Sequence, residues 1–336
     1  MNKKIIEEID TEKMYEVYDN WPKIARDAFS NENHNLDYSR INHIVFAGMG
    51  GSGAIGDMFA AILSKTNIHI NVIKGYELPK TVNSETLVIT ISVSGNTIET
   101  LTILESAFKI NCRIIAFSSG GKMIDFCKKN KIEHIIIPLL HSPRSSFAVF
   151  LYTILKVLHK TLGIKEEDVL ESINELESVN LKINSSNLTE ENPALNLAKK
   201  INDIPVIYYP HGLQSAAIRF KNSLQENAKF HAMTEDVIEN SHNGIVAWEK
   251  KSNVIPIIIQ GKDDHLRTKE RWKILKKFLK NNNIEYHIIE TPYGSIITKL
   301  ISIIYFLDYT TIYTAILNNT NPSPVKSIQF IKSKLN

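Results

Sequence analysis

Two glycine- and serine-rich turns, each set between a β-branched apolar run and a helix-compatible run, constrain this chain more than any other feature. The first joins His43–Ala47 to a helical stretch over 54–63 through Gly48-Met-Gly-Gly-Ser-Gly53. The second joins residues 86–91 to 98–109 through Ser92-Val-Ser-Gly-Asn-Thr97. A strand that feeds a helix through a tight turn is the repeating step of a parallel α/β sheet. Further short apolar runs at 69–73, 113–117 and 134–137, with helical spacing over 123–129, extend the same alternation. The segment up to about residue 160 therefore reads as a doubly wound parallel sheet with helices on both faces.

The pattern then changes and resumes. Residues 163–189 are rich in Glu, Asn and Ser, with apolar residues at helical spacing over 169–179, and read as a helical linker. Strands are expected at 205–209, 254–259 and 285–289, alternating with helices at 194–200, 214–229, 267–280 and 295–317. A Pro-broken turn and a short helix over 325–335 end the chain. The expected division is an N-terminal helical extension (1–35), a first α/β subdomain (36–162), the helical linker (163–193), a second α/β subdomain (194–318) and a C-terminal turn and helix (319–336). With 336 residues, 43% of them apolar, there is enough chain for two such cores.

Charge excludes some partners. Lys+Arg number 39 against 36 Asp+Glu, a net of +3, so no basic excess draws the chain to nucleic acid or an anionic membrane. The apolar stretch 296–317 is interrupted by Lys299 and Asp308, which suits a buried helix better than a membrane span. Residues 1–10 hold no apolar core of signal-peptide length. The only cysteines are Cys112 and Cys127, with no CxxC, HExxH or Cys/His cluster, so neither a disulfide frame nor a metal site is expected. A cytoplasmic location follows as the expectation.

The turns suit anions. Glycines let the backbone approach closely, amides at a helix start point outward, and Ser52 can donate to a phosphate oxygen. Gly48, Gly50 and Gly53 also fit the dinucleotide pattern GxGxxG, but the following strand, HINVIKG, lacks the acid that would hold a ribose hydroxyl. Ser92, Ser94 and Thr97 place three hydroxyls within six residues at the next helix start, more than N-capping requires. Two such turns at the carboxyl ends of parallel strands would converge on one crevice and favour a phosphate monoester.

GMGGSG followed by SVSGNTIET resembles the sugar isomerase, or SIS, fold. Gln225-Glu-Asn-Ala-Lys229, Glu239-Asn-Ser-His-Asn-Gly-Ile-Val246, Asn321-Pro-Ser-Pro-Val325 and a terminal helix carrying Lys332 narrow the resemblance to the bifunctional phosphoglucose/phosphomannose isomerases. That resemblance implies a cofactor-free and metal-free homodimer that converts hexose 6-phosphates through a cis-enediol. It assigns substrate binding to Gly51, Ser52, Ser92, Ser94, Thr97 and Arg144. It assigns catalysis to Glu226 as base, His242 as ring-opening acid/base and Lys332 as a contact to the sugar oxygens. By residue type alone, Glu226 would read as a surface helix acid paired with Lys229 or Lys221, and His242 as a solvated loop residue. A non-catalytic phosphosugar sensor and an SIS isomerase for another sugar phosphate are the alternatives. This chain carries Ser323 where the family commonly has Thr, which bears on the balance between glucose and mannose phosphates.

Overall fold

The computed structural model describes residues 1–32, 36–38 and 41–335. Three helices come first: α1 (Lys3–Ile9), α2 (Met14–Asp19) and α3 (Trp21–Ser30). The expected boundary after residue 35 lies outside the described residues. Next come β1 (His43–Ala47), α4 (Gly50–Leu63), β2 (His69–Ile73), β3 (Leu87–Ser92), α5 (Ile98–Ile110), β4 (Arg113–Ser118), α6 (Gly121–Asn130), β5 (Glu133–Ile136) and α7 (Phe147–Leu158). The five strands form a parallel sheet in the order β2-β1-β3-β4-β5.

Strand periodicity decides what faces what. Ile44, Phe46, Ile89, Ile91, Ile115 and Phe117 point into the central core. Their neighbours Val45, Ala47, Val88, Ile114 and Ala116 meet Ile103 and Leu104 of α5 and Met123 and Cys127 of α6 on the other face. Both faces are covered, as the uninterrupted β-branched runs require. The strand order reverses between β1 and β3, so the turns after these two strands open onto one crevice at the carboxyl edge of the sheet.

The second half comprises α8 (Glu166–Ile183), α9 (Pro193–Ala198), β6 (Ile204–Tyr209), α10 (Gln214–Ser223), a π turn (Leu224–Ala228), β7 (Met233–Asp236), α11 (Val237–Asn240), a 3₁₀ turn (Gly244–Glu249), β8 (Val254–Gln260), α12 (Leu266–Asn281), β9 (His287–Glu290), α13 (Ile296–Leu317) and α14 (Lys326–Leu335). Its strands are parallel in the order β7-β6-β8-β9. Ile207, Tyr209, Ile257 and Ile259 face the same central core as the first sheet. Val206, Tyr208 and Ile258 pack outward on Trp272, Leu275 and Leu279 of α12.

Between the sheets runs α13, long and apolar enough by composition to cross a membrane but buried along nearly its whole length. A helix apolar on every side has no face to give to water, so it becomes the axis of the core. Three local expectations change. The single helix expected over 214–229 is α-helical only to Ser223 and widens into the π turn. The short strand β7, sequence MTED, lacks an apolar run and was not anticipated. The strand expected at 285–289 spans His287–Glu290 instead.

Candidate active site

The crevice is built first from glycine. A Cβ on Gly48 would lie 2.9 Å from the Ile91 carbonyl oxygen, so only glycine lets the turn after β1 lie against β3. Gly95 has φ +66°, and a Cβ there would lie 1.6 Å from the Gly120 carbonyl oxygen. The turn after β3 is thus locked onto the start of α6, where the Met123 amide donates to the Gly95 carbonyl at 3.0 Å.

Hydroxyls line this frame. The Val93 amide donates to Ser52 Oγ at 3.4 Å, joining the two turns. Ser92 Oγ donates to Thr97 Oγ1 at 3.0 Å, which leaves the Thr97 proton for a ligand. Thr97 occupies the N-cap position of α5 without capping it by its side chain. Ser52 and Ser92 are buried, Thr97 half-buried and Ser94 exposed, so the row runs from the floor to the mouth of the crevice. The amino ends of α4 and α5 add positive dipole ends beside these hydroxyls.

The next layer is Arg144. A Cβ on Gly51 would sit 3.1 Å from the Pro143 carbonyl oxygen and 3.3 Å from Arg144 Cα, so the Pro143-Arg144 loop lies directly on the start of α4. Arg144, only 4% exposed, donates from its guanidinium Nε to Asn227 Oδ1 at 2.6 Å. Its Nη2 reaches the carbonyls of Pro322 at 2.7 Å and Ser323 at 3.0 Å, and its Nη1 lies 3.4 Å from Glu226 Oε2. One side chain therefore gathers the π turn, the Asn321–Ser323 turn and the carboxylate of Glu226.

Beneath it lies a buried ion pair. Arg219 of α10 donates to Asp308 Oδ2 of α13 from Nη2 at 2.5 Å and from Nε at 3.0 Å. Ser223 donates to the other carboxylate oxygen at 2.8 Å. The same guanidinium holds the Arg144 carbonyl at 2.9 Å and stacks on the Phe147 ring at 4.0 Å. Charges this deep persist only when paired and fully hydrogen-bonded, and this pair meets that condition.

The π turn explains how adjacent residues take opposite roles. Asn227 is fully buried and also donates to Thr311 Oγ1 at 2.8 Å, whereas the Glu226 side chain keeps 27% of its surface open to the crevice. Glu226 pairs with Arg144, not with Lys229 or Lys221. The Lys229 ammonium instead donates to backbone carbonyls, and burial, with the Arg144 guanidinium adding to it, brings its pKa down to about 8.

The remaining two candidates stand apart from this cluster. His242 is exposed in the turn after α11, and Lys332 is exposed on α14. Neither side chain has a hydrogen-bond partner among the described residues. The turn carrying His242 is nonetheless well defined: Asp236 caps α11, Asn240 Nδ2 donates to Glu235 Oε2 at 2.5 Å, and the Asn240 amide and Glu235 carboxylate lie over Gly244 where a Cβ would project. Among the described residues no group of three or more His, Cys, Asp or Glu could hold a metal ion.

Sequence reasoning missed Arg219, Asn227 and the role of Asp308. A signal existed for the last: a lone acid inside a 22-residue apolar helix requires a buried cation, and Arg219 stands in the helix just before the QENAK segment.

Comparisons with known proteins agree with this architecture. A family model described as "SIS domain" matches residues 37–137, and one described as "Bacterial phospho-glucose isomerase C-terminal SIS domain" matches residues 190–335. The bifunctional phosphoglucose/phosphomannose isomerase of Caldicellulosiruptor bescii is 31% identical over 335 residues, covering 96% of this chain and 98% of its own. The enzyme of the same name from Aquifex aeolicus is 30% identical, covering 89% of this chain and 92% of its own. Among solved structures, a hypothetical protein from Thermus thermophilus superposes with a TM-score of 0.75 at 13% identity, covering 98% of this chain and 93% of that one.

Proposed function

The chain belongs to the bifunctional phosphoglucose/phosphomannose isomerase family, and we propose that it interconverts glucose 6-phosphate and mannose 6-phosphate with fructose 6-phosphate, Glu226 moving the proton. The observation that carries this reading is the Glu226 carboxylate, open to the crevice, beside a buried guanidinium that rests on the start of α4.

The phosphate sits in the cradle of Gly51, Ser52, Ser92, Ser94 and Thr97, with the sugar directed toward Arg144 and Glu226. In the open aldose, Glu226 removes the proton from C2. The C2–H electron pair forms the C1=C2 double bond, and the carbonyl electrons move onto the C1 oxygen. The Arg144 guanidinium stabilises negative charge that develops on the sugar oxygens. The proton of the C2 hydroxyl passes to the C1 oxygen, giving the C1 hydroxyl and the C2 ketone, while Glu226 returns its proton to C1. Glucose and mannose phosphates differ only in configuration at C2, and loss of the C2 proton erases that difference, so one enediol serves both.

Opening the ring requires a proton for the ring oxygen and removal of one from the C1 hydroxyl, and an imidazole can do both near neutral pH. We assign this step to His242 supplied by a second copy of the chain, and the sugar contact to Lys332. The homodimer reading is supported by the exposure of both side chains and by α14, a ten-residue helix on which Ile328, Phe330, Ile331 and Leu335 are 40%, 62%, 56% and 56% exposed. A helix so short is marginal in water without a packing partner. A cytoplasmic location fits the two free thiols, Cys112 and the buried Cys127.

A coupled assay starting from fructose 6-phosphate tests the reaction. Both glucose 6-phosphate and mannose 6-phosphate are expected, at rates a chelator does not change. Formation of neither would overturn the isomerase reading, and formation of one alone would overturn its bifunctional part.

A further inference from the structure

The Lys229 ammonium donates to two pairs of carbonyl oxygens that belong to different parts of the chain. One pair is its own π turn: Glu226 O at 2.8 Å and Asn227 O at 3.3 Å. The other is the turn that leads into α14: Asn321 O at 3.1 Å and Pro322 O at 3.2 Å. The Pro322 carbonyl is shared with Arg144 Nη2, so two cations converge on one oxygen. Lys229 itself adopts φ +56°, the left-handed conformation that ends the π turn and folds the side chain back over its carbonyls.

We propose that Lys229 is a positioning residue for the isomerisation, clamping the π turn that carries Glu226 to the Asn321–Ser323 turn that carries α14 and Lys332. The inference rests on the reading of Glu226 as the base. Carbonyls at the carboxyl end of a helical turn carry partial negative charge, and a cation placed on them is favoured. Lys229 is an exposed residue, and partial burial of its ammonium, with the like-charged Arg144 guanidinium beside it, weakens its hold on its proton; four carbonyls offset that cost. A neutral apolar side chain would take this donor from the Glu226, Asn227 and Asn321 carbonyls and leave the Pro322 carbonyl to Arg144, which would then carry the link between the two turns. A guanidinium, with five donors, could take over most of the bonds.

The test pairs kinetics with amide hydrogen exchange read by mass spectrometry, using Lys229→Met, Lys229→Arg and, as a reference, Glu226→Gln. In Lys229→Met, exchange over residues 321–335 is expected to rise at least fivefold and kcat for fructose 6-phosphate to fall at least tenfold. KM is expected to stay within threefold, because the phosphate cradle is untouched. Lys229→Arg should restore both readouts to within threefold of the parent protein. Glu226→Gln should lose turnover with the 321–335 exchange unchanged. Exchange in Lys229→Met that stays below a fivefold rise overturns the clamp, and faster exchange without a tenfold loss of kcat overturns its catalytic role. Should Lys229→Met fail to fold, Lys229→Gln carries the same test with the same two thresholds. If the parent protein does not isomerise fructose 6-phosphate, the functional reading fails and the exchange measurement alone decides whether the clamp exists.

Discussion

Glu226→Gln is expected to lower kcat for both hexose phosphates by a factor of about 10²–10⁴, the range over which a positioned base contributes to proton transfer. The amide keeps the size of the carboxylate and can still accept a hydrogen bond from Arg144 Nη1, now 3.4 Å from Oε2, so the surrounding frame should survive. It cannot take up the C2 proton. Binding of the phosphosugar should persist, because the cradle hydroxyls belong to the turns after β1 and β3 and not to the π turn. An interaction that acts only in the transition state lowers kcat and kcat/KM together. Steady-state kinetics with each sugar phosphate checks this; near-normal turnover would mean that another group is the base.

The second expectation concerns how two chains share a site. If each crevice combines Glu226 of one chain with His242 of its partner, then Glu226→Gln and His242→Ala homodimers are both inactive. A mixed dimer contains one site with both residues intact and one with both replaced. Equal amounts of the two variants, unfolded together and refolded, pair at random, so half the dimers are mixed and each has half its sites working. About a quarter of wild-type activity should return. Failure to recover activity, with subunit exchange demonstrated by mass, would place both residues in the same chain. The base assignment would stand, and the shared-site geometry would not.

The strands of the first sheet were legible because buried parallel strands leave a plain mark: HIVFA, LVITI and RIIAF are uninterrupted apolar or β-branched runs with turns on both sides. The same holds for the glycine turns, since Gly48 and Gly95 stand where any side chain would collide with backbone. Strand β7 escaped because MTED pairs through its backbone with β6 and carries no apolar pattern of its own. The break at Ser223 escaped for a related reason. A π turn changes hydrogen-bond spacing without changing composition, so QENAK read as the end of a regular helix.

The site was legible in its parts and less so in its connections. The turn hydroxyls have the type and spacing expected of an anion site, and the structure brings Ser52, Ser92 and Thr97 to one crevice. The placement of Arg144 against Gly51, Glu226, Asn227 and the Asn321–Ser323 turn depends on contacts between residues up to 179 positions apart, which no local pattern encodes. Local pairing rules pointed the wrong way for Glu226: the neighbouring Lys229 is near enough in sequence to pair with it, but its ammonium is held by carbonyls and the carboxylate partner comes from the loop before α7.

In this mechanism a proton, not a hydride, moves between C1 and C2 by way of a carboxylate. The most direct measurement runs the wild-type protein on fructose 6-phosphate in D2O and reads hydrogen isotope at C2 of the glucose 6-phosphate formed. A proton held on Glu226 exchanges with solvent before it is returned, so deuterium should appear at C2, and the Glu226→Gln variant should introduce it more slowly by the same factor of about 10²–10⁴. Glucose 6-phosphate that accumulates over many turnovers with only hydrogen at C2 would contradict this mechanism, because a carboxylate as open to solvent as Glu226 exchanges its proton in at least some turnovers.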